Sequence, residues 1–324
     1  MLDITDIHIK TTQTPEGIDA DLTASLLFPQ LRAPETESEQ RYVYALFRAC
    51  IVNGIRADDF VVSLDDTFYR CRRDRFAIDG EWLRLRKMAK EPPTFETLPT
   101  KLDPTITQAL LSPSLSRGGL IFITGGPGCG KTTTASATVV SRLKALGGVA
   151  YTVEDPPELP LNGRHGAGYC TQTVVAGESA NDWAESLRGV LRSQPVGMNL
   201  MLFVGEIRDA LPAKIMLRAA SNGFLTICTA FGSDIVSGID SLFQLVGKEY
   251  ATTLANVLRV VICQRVIDGR FQSELLTSDG PGSRVAISIR NGMIAQIKDE
   301  LLYQKNAAAA LKGPQMGRTV TKTW

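Results

Sequence analysis

Apolar positions along this 324-residue chain follow two rhythms, and the change falls near residue 90. Before it, short alternating runs surround one segment of helical period. They predict strands near 4–9, at 60–64 and at 68–72, with a helix across 37–51. Lys90-Glu91-Pro92-Pro93-Thr94 then halts any regular element, because adjacent prolines fix φ and remove backbone donors. Beyond it, apolar runs alternate with helical stretches. Helices are predicted at 132–146, 182–192, 209–222, 234–245, 251–260 and 293–305, and strands at 120–123, 149–153, 200–204 and 224–229, with two more short strands between the last two helices. That alternation implies a parallel sheet covered on both faces. The reading is α/β for residues 105–312, preceded by a smaller α+β domain over 1–90 and a linker over 91–104. A disordered tail is expected over 313–324.

The run 120–134 reads Leu-Ile-Phe-Ile-Thr-Gly-Gly-Pro-Gly-Cys-Gly-Lys-Thr-Thr-Thr. Gly125, Gly130, Lys131 and Thr132 fit the phosphate-loop spacing G-x-x-x-x-G-K-[ST] after an apolar strand and before a helix. Glycines let backbone N–H groups converge on phosphate oxygens without Cβ clashes. Lys131 carries a point charge to the β/γ-phosphates, and the Thr132 hydroxyl suits Mg²⁺. The predicted nucleotide contacts are Gly125, Gly126, Gly128, Cys129, Gly130, Lys131, Thr132 and Thr133.

Composition narrows the partners. Lys+Arg 35 against Asp+Glu 34 leaves a net charge of +1, which gives no general attraction to nucleic acid or an anionic membrane. No apolar run is long enough to span a bilayer, and the first residues have no signal-peptide pattern. Six scattered cysteines without a C-x-x-C pair speak against a zinc site or a disulfide framework. A cytoplasmic protein is expected.

Two acidic segments supply candidate chemistry. Met201-Leu202-Phe203-Val204-Gly205-Glu206 is an apolar strand ending in an acid, the way phosphate-loop enzymes deliver a carboxylate to water and Mg²⁺. The residue before that acid is usually Asp; here it is Gly205, so Glu206 is the strand's sole carboxylate. It is expected to polarise water, to reach Mg²⁺ through water, or both. Tyr151-Thr152-Val153-Glu154-Asp155-Pro156 puts Glu154 and Asp155 at the end of another strand. Glu154 is a second candidate base, with Asp155 orienting it or the metal. Asp209 reads as a helix cap ahead of Pro212. Arg188 and Arg192 share a helix face opposite the apolar Trp183, Leu187, Val190 and Leu191. They are candidates to complete a neighbouring subunit's site. His165, in a glycine-rich stretch, reads as a surface histidine, and His8 as facing outward from its strand.

Together these segments resemble the type II/IV secretion ATPase superfamily, including PilT-like retraction motors and DotB-like ATPases of type IVB secretion and conjugation. The phosphate loop matches. Val153-Glu154-Asp155-Pro156 looks like the family's Asp box, and Val204-Gly205-Glu206-Ile207-Arg208-Asp209 like its Walker B segment, glycine included. Asp6-Ile7-His8-Ile9, Tyr69-Arg70-Cys71-Arg72, Leu85-Arg86, Val261-Ile262-Cys263-Gln264-Arg265 and Ile289-Arg290-Asn291-Gly292 resemble further family segments.

The resemblance implies a RecA-like core with a PAS-like N-terminal domain and a homohexameric ring. It implies ATP and Mg²⁺ as ligands, with Arg70 and Arg86 reaching nucleotide across the domain cleft. The expected setting is the cytoplasmic side of an inner membrane, with secretion or pilus machinery as partner. Two departures stand out. The family's histidine-bearing segment here reads Gly223-Phe224-Leu225-Thr226-Ile227-Cys228-Thr229-Ala230-Phe231-Gly232, so both histidines are phenylalanine and Thr229 is the remaining polar candidate. Of the retraction motors' Ala-Ile-Arg-Asn-Leu-Ile-Arg-Glu segment, Val285-Ala286-Ile287-Ser288-Ile289-Arg290-Asn291 keeps only the end, which favours secretion or conjugation over retraction. A RecA-like nucleic-acid translocase and a nucleotide-sensing assembly subunit are the rival readings.

Overall fold

The computed structural model describes residues 4–15, 17–52, 58–175 and 179–312. The expectation for 313–324 lies outside them. The N-terminal strands are β1 (Asp6–Thr14), β2 (Gly17–Phe28), β3 (Asp59–Leu64), β4 (Thr67–Phe76) and β5 (Gly80–Lys87), with α1 (Glu37–Val52) between β2 and β3. They form an antiparallel sheet in the order β2-β1-β5-β4-β3. Ile7, Ile9, Cys71, Leu83 and Leu85 alternate onto one face. There they meet Val43, Leu46, Phe47 and Cys50 of α1 in a closed core. The sequence reading lacked β2. Its acids Asp19 and Asp21 and its largely half-buried pattern hide the strand period, and pairing with β1 supplies the order.

The second sheet follows from α2 (Pro104–Leu111), β6 (Gly119–Gly125), α3 (Lys131–Leu146), β7 (Gly148–Glu154), β8 (Gly163–His165), β9 (Gly168–Val174), α4 (Ala180–Arg192) and β10 (Leu200–Glu206). It continues through α5 (Ala210–Ser221), β11 (Leu225–Ala230), α6 (Ile235–Val246), α7 (Ala251–Val257), β12 (Leu258–Ile267) and β13 (Arg270–Thr277). It closes with α8 (Arg284–Arg290) and α9 (Ile297–Lys312). Strand order is β13-β12-β6-β11-β10-β7-β9-β8. The interior pairings are parallel, and β8 and β13 lie antiparallel at the edges.

Every residue of β6 is buried, because alternate side chains serve two cores. Leu120 and Phe122 pack under α4–α8, while Ile121 and Ile123 pack under α2 and α3. Phe95, Leu98 and Leu102, from the segment read as a linker, are buried in that second core. Arg142 of α3 is buried and donates to Leu110 O (2.7 Å) and Ser112 O (3.0 Å), which ties the end of α2 to the core.

Three sequence expectations are corrected here. The helix read over 251–260 ends at Val257; Leu258 onward pairs with β6, and such an apolar run fits either period until its neighbour is known. α8 forms where no helix was expected, started by the Ser283 side chain accepting from Ala286 N. His165 is buried rather than at the surface, its Nε2 2.7 Å from Leu161 O, because the β8–β9 ribbon that carries it packs against the end of α3.

Candidate functional site

The phosphate loop leaves β6 at Gly125. A Cβ there would stand 2.3 Å from Gln264 O on the adjoining β12, and φ is 152°. Only glycine lets the two backbones approach this closely. Gly130, with φ 85°, precedes α3, and no side chain caps that helix. Its first N–H groups therefore remain available to an anion, with the positive end of the helix dipole behind them. Gly128, Gly130, Lys131, Thr132 and Thr133 line a cavity of about 840 Å³. The other predicted contacts, Gly125, Gly126 and Cys129, do not line it, and Cys129 is buried.

The same cavity gathers the carboxyl ends of neighbouring strands. β7 ends in Glu154, β10 in Gly205 and Glu206, and β11 leads through Thr229 to Phe231; all line it. Parallel pairing with ladder partners Val204 and Val153 forces the two acidic segments together. This is the crevice position at which open α/β sheets hold ligands.

Each acid has its own environment. Glu154 is 2% exposed, its Oε1 accepts from Gln172 Nε2 (2.9 Å), and burial raises its carboxyl pKa. A Cβ on Gly205 would lie 3.4 Å from Glu154 Cγ, so the glycine before Glu206 leaves the space that Glu154 borders. Glu206 pairs with Arg208. Thr229 Oγ1 donates to Gly205 O (2.5 Å), fixing the end of β10 against β11. Asp209 sits at the N-cap position of α5, but its side chain makes no cap bond and lines the cavity instead, unlike the sequence reading. Lys131 Nζ donates to Gly125 O (3.1 Å) and Gly126 O (2.8 Å), under the Phe231 ring.

The far wall comes from the N-terminal sheet: Asp59 of β3 with Arg70 and Arg72 of β4. Arg70 Nη1 lies 3.6 Å from Glu158 Oε1, which follows the Asp155-Pro156 segment of the other domain. The two arginines proposed from sequence as a pair part here. Arg86 Nε donates to Asp6 Oδ1 (2.7 Å), and Arg86 does not line the cavity, because it stands on the neighbouring strand against β1. Arg188 and Arg192 project from α4 into solvent, opposite buried Ala184, Leu187 and Val190, and neither lines this chain's cavity. His8 packs beside Phe28, away from the site.

Sequence reasoning missed Asp59, Arg72, Glu158, Trp183, Arg208 and Phe231 as lining residues. Arg72, Arg208 and Phe231 carried a usable signal, since each stands two residues from a predicted one: Arg70, Glu206 and Thr229. Among the described residues, no three His, Cys, Asp or Glu side chains are placed to hold a metal ion. A hydrated Mg²⁺ arriving on phosphates needs fewer protein ligands, and Thr132, Asp155 and Glu206 offer only oxygen to the cavity.

Known proteins share both sequence and fold. The pilus retraction motor PilT, solved with bound ADP, superposes with a TM-score of 0.66 at 25% identity, covering 93% of this chain and 86% of that one. The ATPase DotB of Legionella pneumophila has a likeness of fold, with a TM-score of 0.63 at 20% identity over 91% of this chain and 84% of DotB. The type II secretion system protein HxcR of Pseudomonas aeruginosa is 33% identical over 149 residues, which is 46% of this chain and 29% of HxcR. The matched part is thus about a third of the type II secretion relatives' length. No described helix is long and apolar enough to cross a membrane. The type II/IV secretion system protein model matches residues 63–313, which include the phosphate loop, both acidic segments and the cavity's β4 arginines, and the chain therefore belongs to that family.

Proposed function

We propose that this chain is a motor ATPase of a type IV secretion or conjugation machine of the type IVB, DotB-like kind, with ATP and Mg²⁺ bound in the cavity. One observation carries the ATPase part of this reading. A phosphate loop, two strand-end glutamates and arginines from a second sheet line one polar space. The α3 N-terminus and Lys131 would hold the β- and γ-phosphates. Thr132 would hold Mg²⁺ directly, with Glu206 and Asp155 reaching it through water. Bound there, the ion neutralises charge on the phosphate oxygens. Glu206 would accept the attacking water's proton, with Glu154 as its neighbour behind Gly205. Arg70 would leave Glu158 for phosphate, coupling nucleotide state to the position of the N-terminal sheet.

Arg188 and Arg192, exposed and outside their own cavity, suit the neighbouring subunit of a homohexameric ring. Such a ring would work in the cytoplasm against inner-membrane partners. The likeness to PilT supports a second reading, a pilus retraction or assembly motor acting through the same site.

Phosphate release by the purified protein tests the shared part. Wild type should hydrolyse ATP only with Mg²⁺. Lys131→Ala should lose turnover while keeping its circular dichroism and thermal midpoint. Equal turnover in the folded variant would remove this cavity from the reaction. Pull-down of pilin-assembly or of conjugation components from the native host then separates the two machines.

A further inference from the structure

The Lys131 ammonium has three N–H groups. Two are spent on its own loop, at Gly125 O and Gly126 O. The Phe231 ring centroid lies 4.7 Å from Nζ, inside cation–π range. Lys131 is 9% exposed, whereas Phe231 is 49% exposed and lines the cavity, so the lysine is largely buried while the ring beside it stays open. An apolar ring left open in a cavity lined largely by charged and polar groups gains little from burial there.

The backbone behind the ring has little room to withdraw. Ala230, just before it, pairs with Thr124 of β6. At Gly232, just after it, a Cβ would meet Thr124 Oγ1 at 2.3 Å and Gly238 Cα at 3.0 Å. The chain on either side is therefore pressed against β6 and α6, which keeps Phe231 beside the phosphate loop.

We propose that Phe231 sets the affinity of the phosphate site: its ring holds Lys131 in a self-bonded state that an incoming phosphate chain must displace. The proposal rests on the reading of the cavity as a nucleotide site and adds a competitor within it. The negative face of an aromatic ring attracts the ammonium and repels an anion. Phosphate oxygens must therefore replace the ring and the two carbonyls together. Binding is weaker than the phosphate loop alone would give.

Calorimetric titration with MgADP and with pyrophosphate, on wild type, Phe231→Leu, Phe231→Tyr and Lys131→Ala, tests this. Leucine keeps an apolar side chain and removes the ring's quadrupole; tyrosine keeps it. Phe231→Leu should bind both ligands tighter by between about two-fold and about thirty-fold, the range spanned by cation–π contacts. Phe231→Tyr should stay near wild type. Equal or weaker binding of both ligands to a folded Phe231→Leu overturns the proposal while leaving the nucleotide site standing. Weaker MgADP with unchanged pyrophosphate also overturns it, and would make Phe231 a contact for the base. Wild type that binds neither ligand overturns the nucleotide reading and this proposal with it.

Discussion

Arg208 grips Glu206 across the turn from β10 to α5: its Nε lies 2.8 Å from Glu206 Oε2, and its Nη2 donates to the same oxygen. The two side chains differ in exposure, 72% for Arg208 against 22% for Glu206. An ion pair this open to solvent is worth about 0–1 kcal/mol. If Arg208 does no more than hold the carboxylate, Arg208→Ala should change single-turnover hydrolysis by at most about five-fold. Glu206→Gln should slow it by about 10²–10⁴-fold, the usual worth of a placed general base, while nucleotide binding persists. A loss from Arg208→Ala as deep as that from Glu206→Gln would make Arg208 a phosphate ligand instead.

The space between Gly205 and Glu154 yields a stability prediction. A Cβ at 205 stands 3.4 Å from Glu154 Cγ, ordinary contact, so Gly205→Ala should fold with a midpoint close to wild type. Gly205→Asp brings a second carboxylate against a buried one and should melt lower. Adding Glu154→Gln should recover much of that loss, and a double-mutant cycle on thermal midpoints measures how much.

Glu154→Gln alone should raise the midpoint at neutral pH. Burial raises the Glu154 pKa in the folded protein, so ionisation opposes folding as pH climbs above the ordinary carboxylate range. The amide avoids that charge and can still accept from Gln172. The gain over wild type should fade as pH falls below that range. A gain independent of pH would assign it to packing.

The start of α1 gives the opposite sign. Arg32 donates to both Glu39 oxygens, at 3.0 and 2.6 Å, and Glu39 Oε2 also accepts from Glu35 N and Thr36 N. These bonds hold the Glu39 carboxyl down at about 2. Their contribution is complete above the usual glutamate pKa of about 4.3 and is lost as pH falls toward 2. Wild type should therefore melt above Glu39→Gln at pH 7, and the two curves should converge on acidification. Parallel curves would show that the bond, and not the charge, matters.

Shared sites can be tested by mixing. Lys131→Ala subunits keep Arg188 and Arg192, and an Arg188→Ala, Arg192→Ala variant keeps its phosphate loop. Each should be nearly inactive alone. Mixed rings should recover part of the turnover, because some intact loops then face a neighbour with its arginines. Absence of rescue, with full activity in a species that light scattering reports as a monomer, would defeat the ring and its shared site together.

Local chemistry made much of the site legible. Gly125, Gly130, Lys131 and Thr132 form their loop through spacing alone, since the constraint lies within eight residues. Glu206 was visible because an apolar strand ended in it, and α4 because its apolar stripe has the helical period. Strand pairing was a different matter. β2 and the β8–β9 ribbon carry weak alternation, and Leu258 onward reads equally as helix until β6 lies beside it.

The cavity itself belongs to the tertiary structure. Parallel packing brings Glu154 to Gly205, although 51 positions separate them in sequence. Folding the N-terminal sheet over the core adds Arg70 and Arg72 to the wall and leaves Arg86 outside, on Asp6. Arg70 and Arg86 are partners on adjacent strands of an antiparallel sheet, and which of them lines the cavity is a distinction no local pattern encodes. Phe231 likewise gains its place over Lys131 only because β11 runs beside β6. Short-range sequence determined which groups bear the chemistry; long-range pairing decided which of them meet.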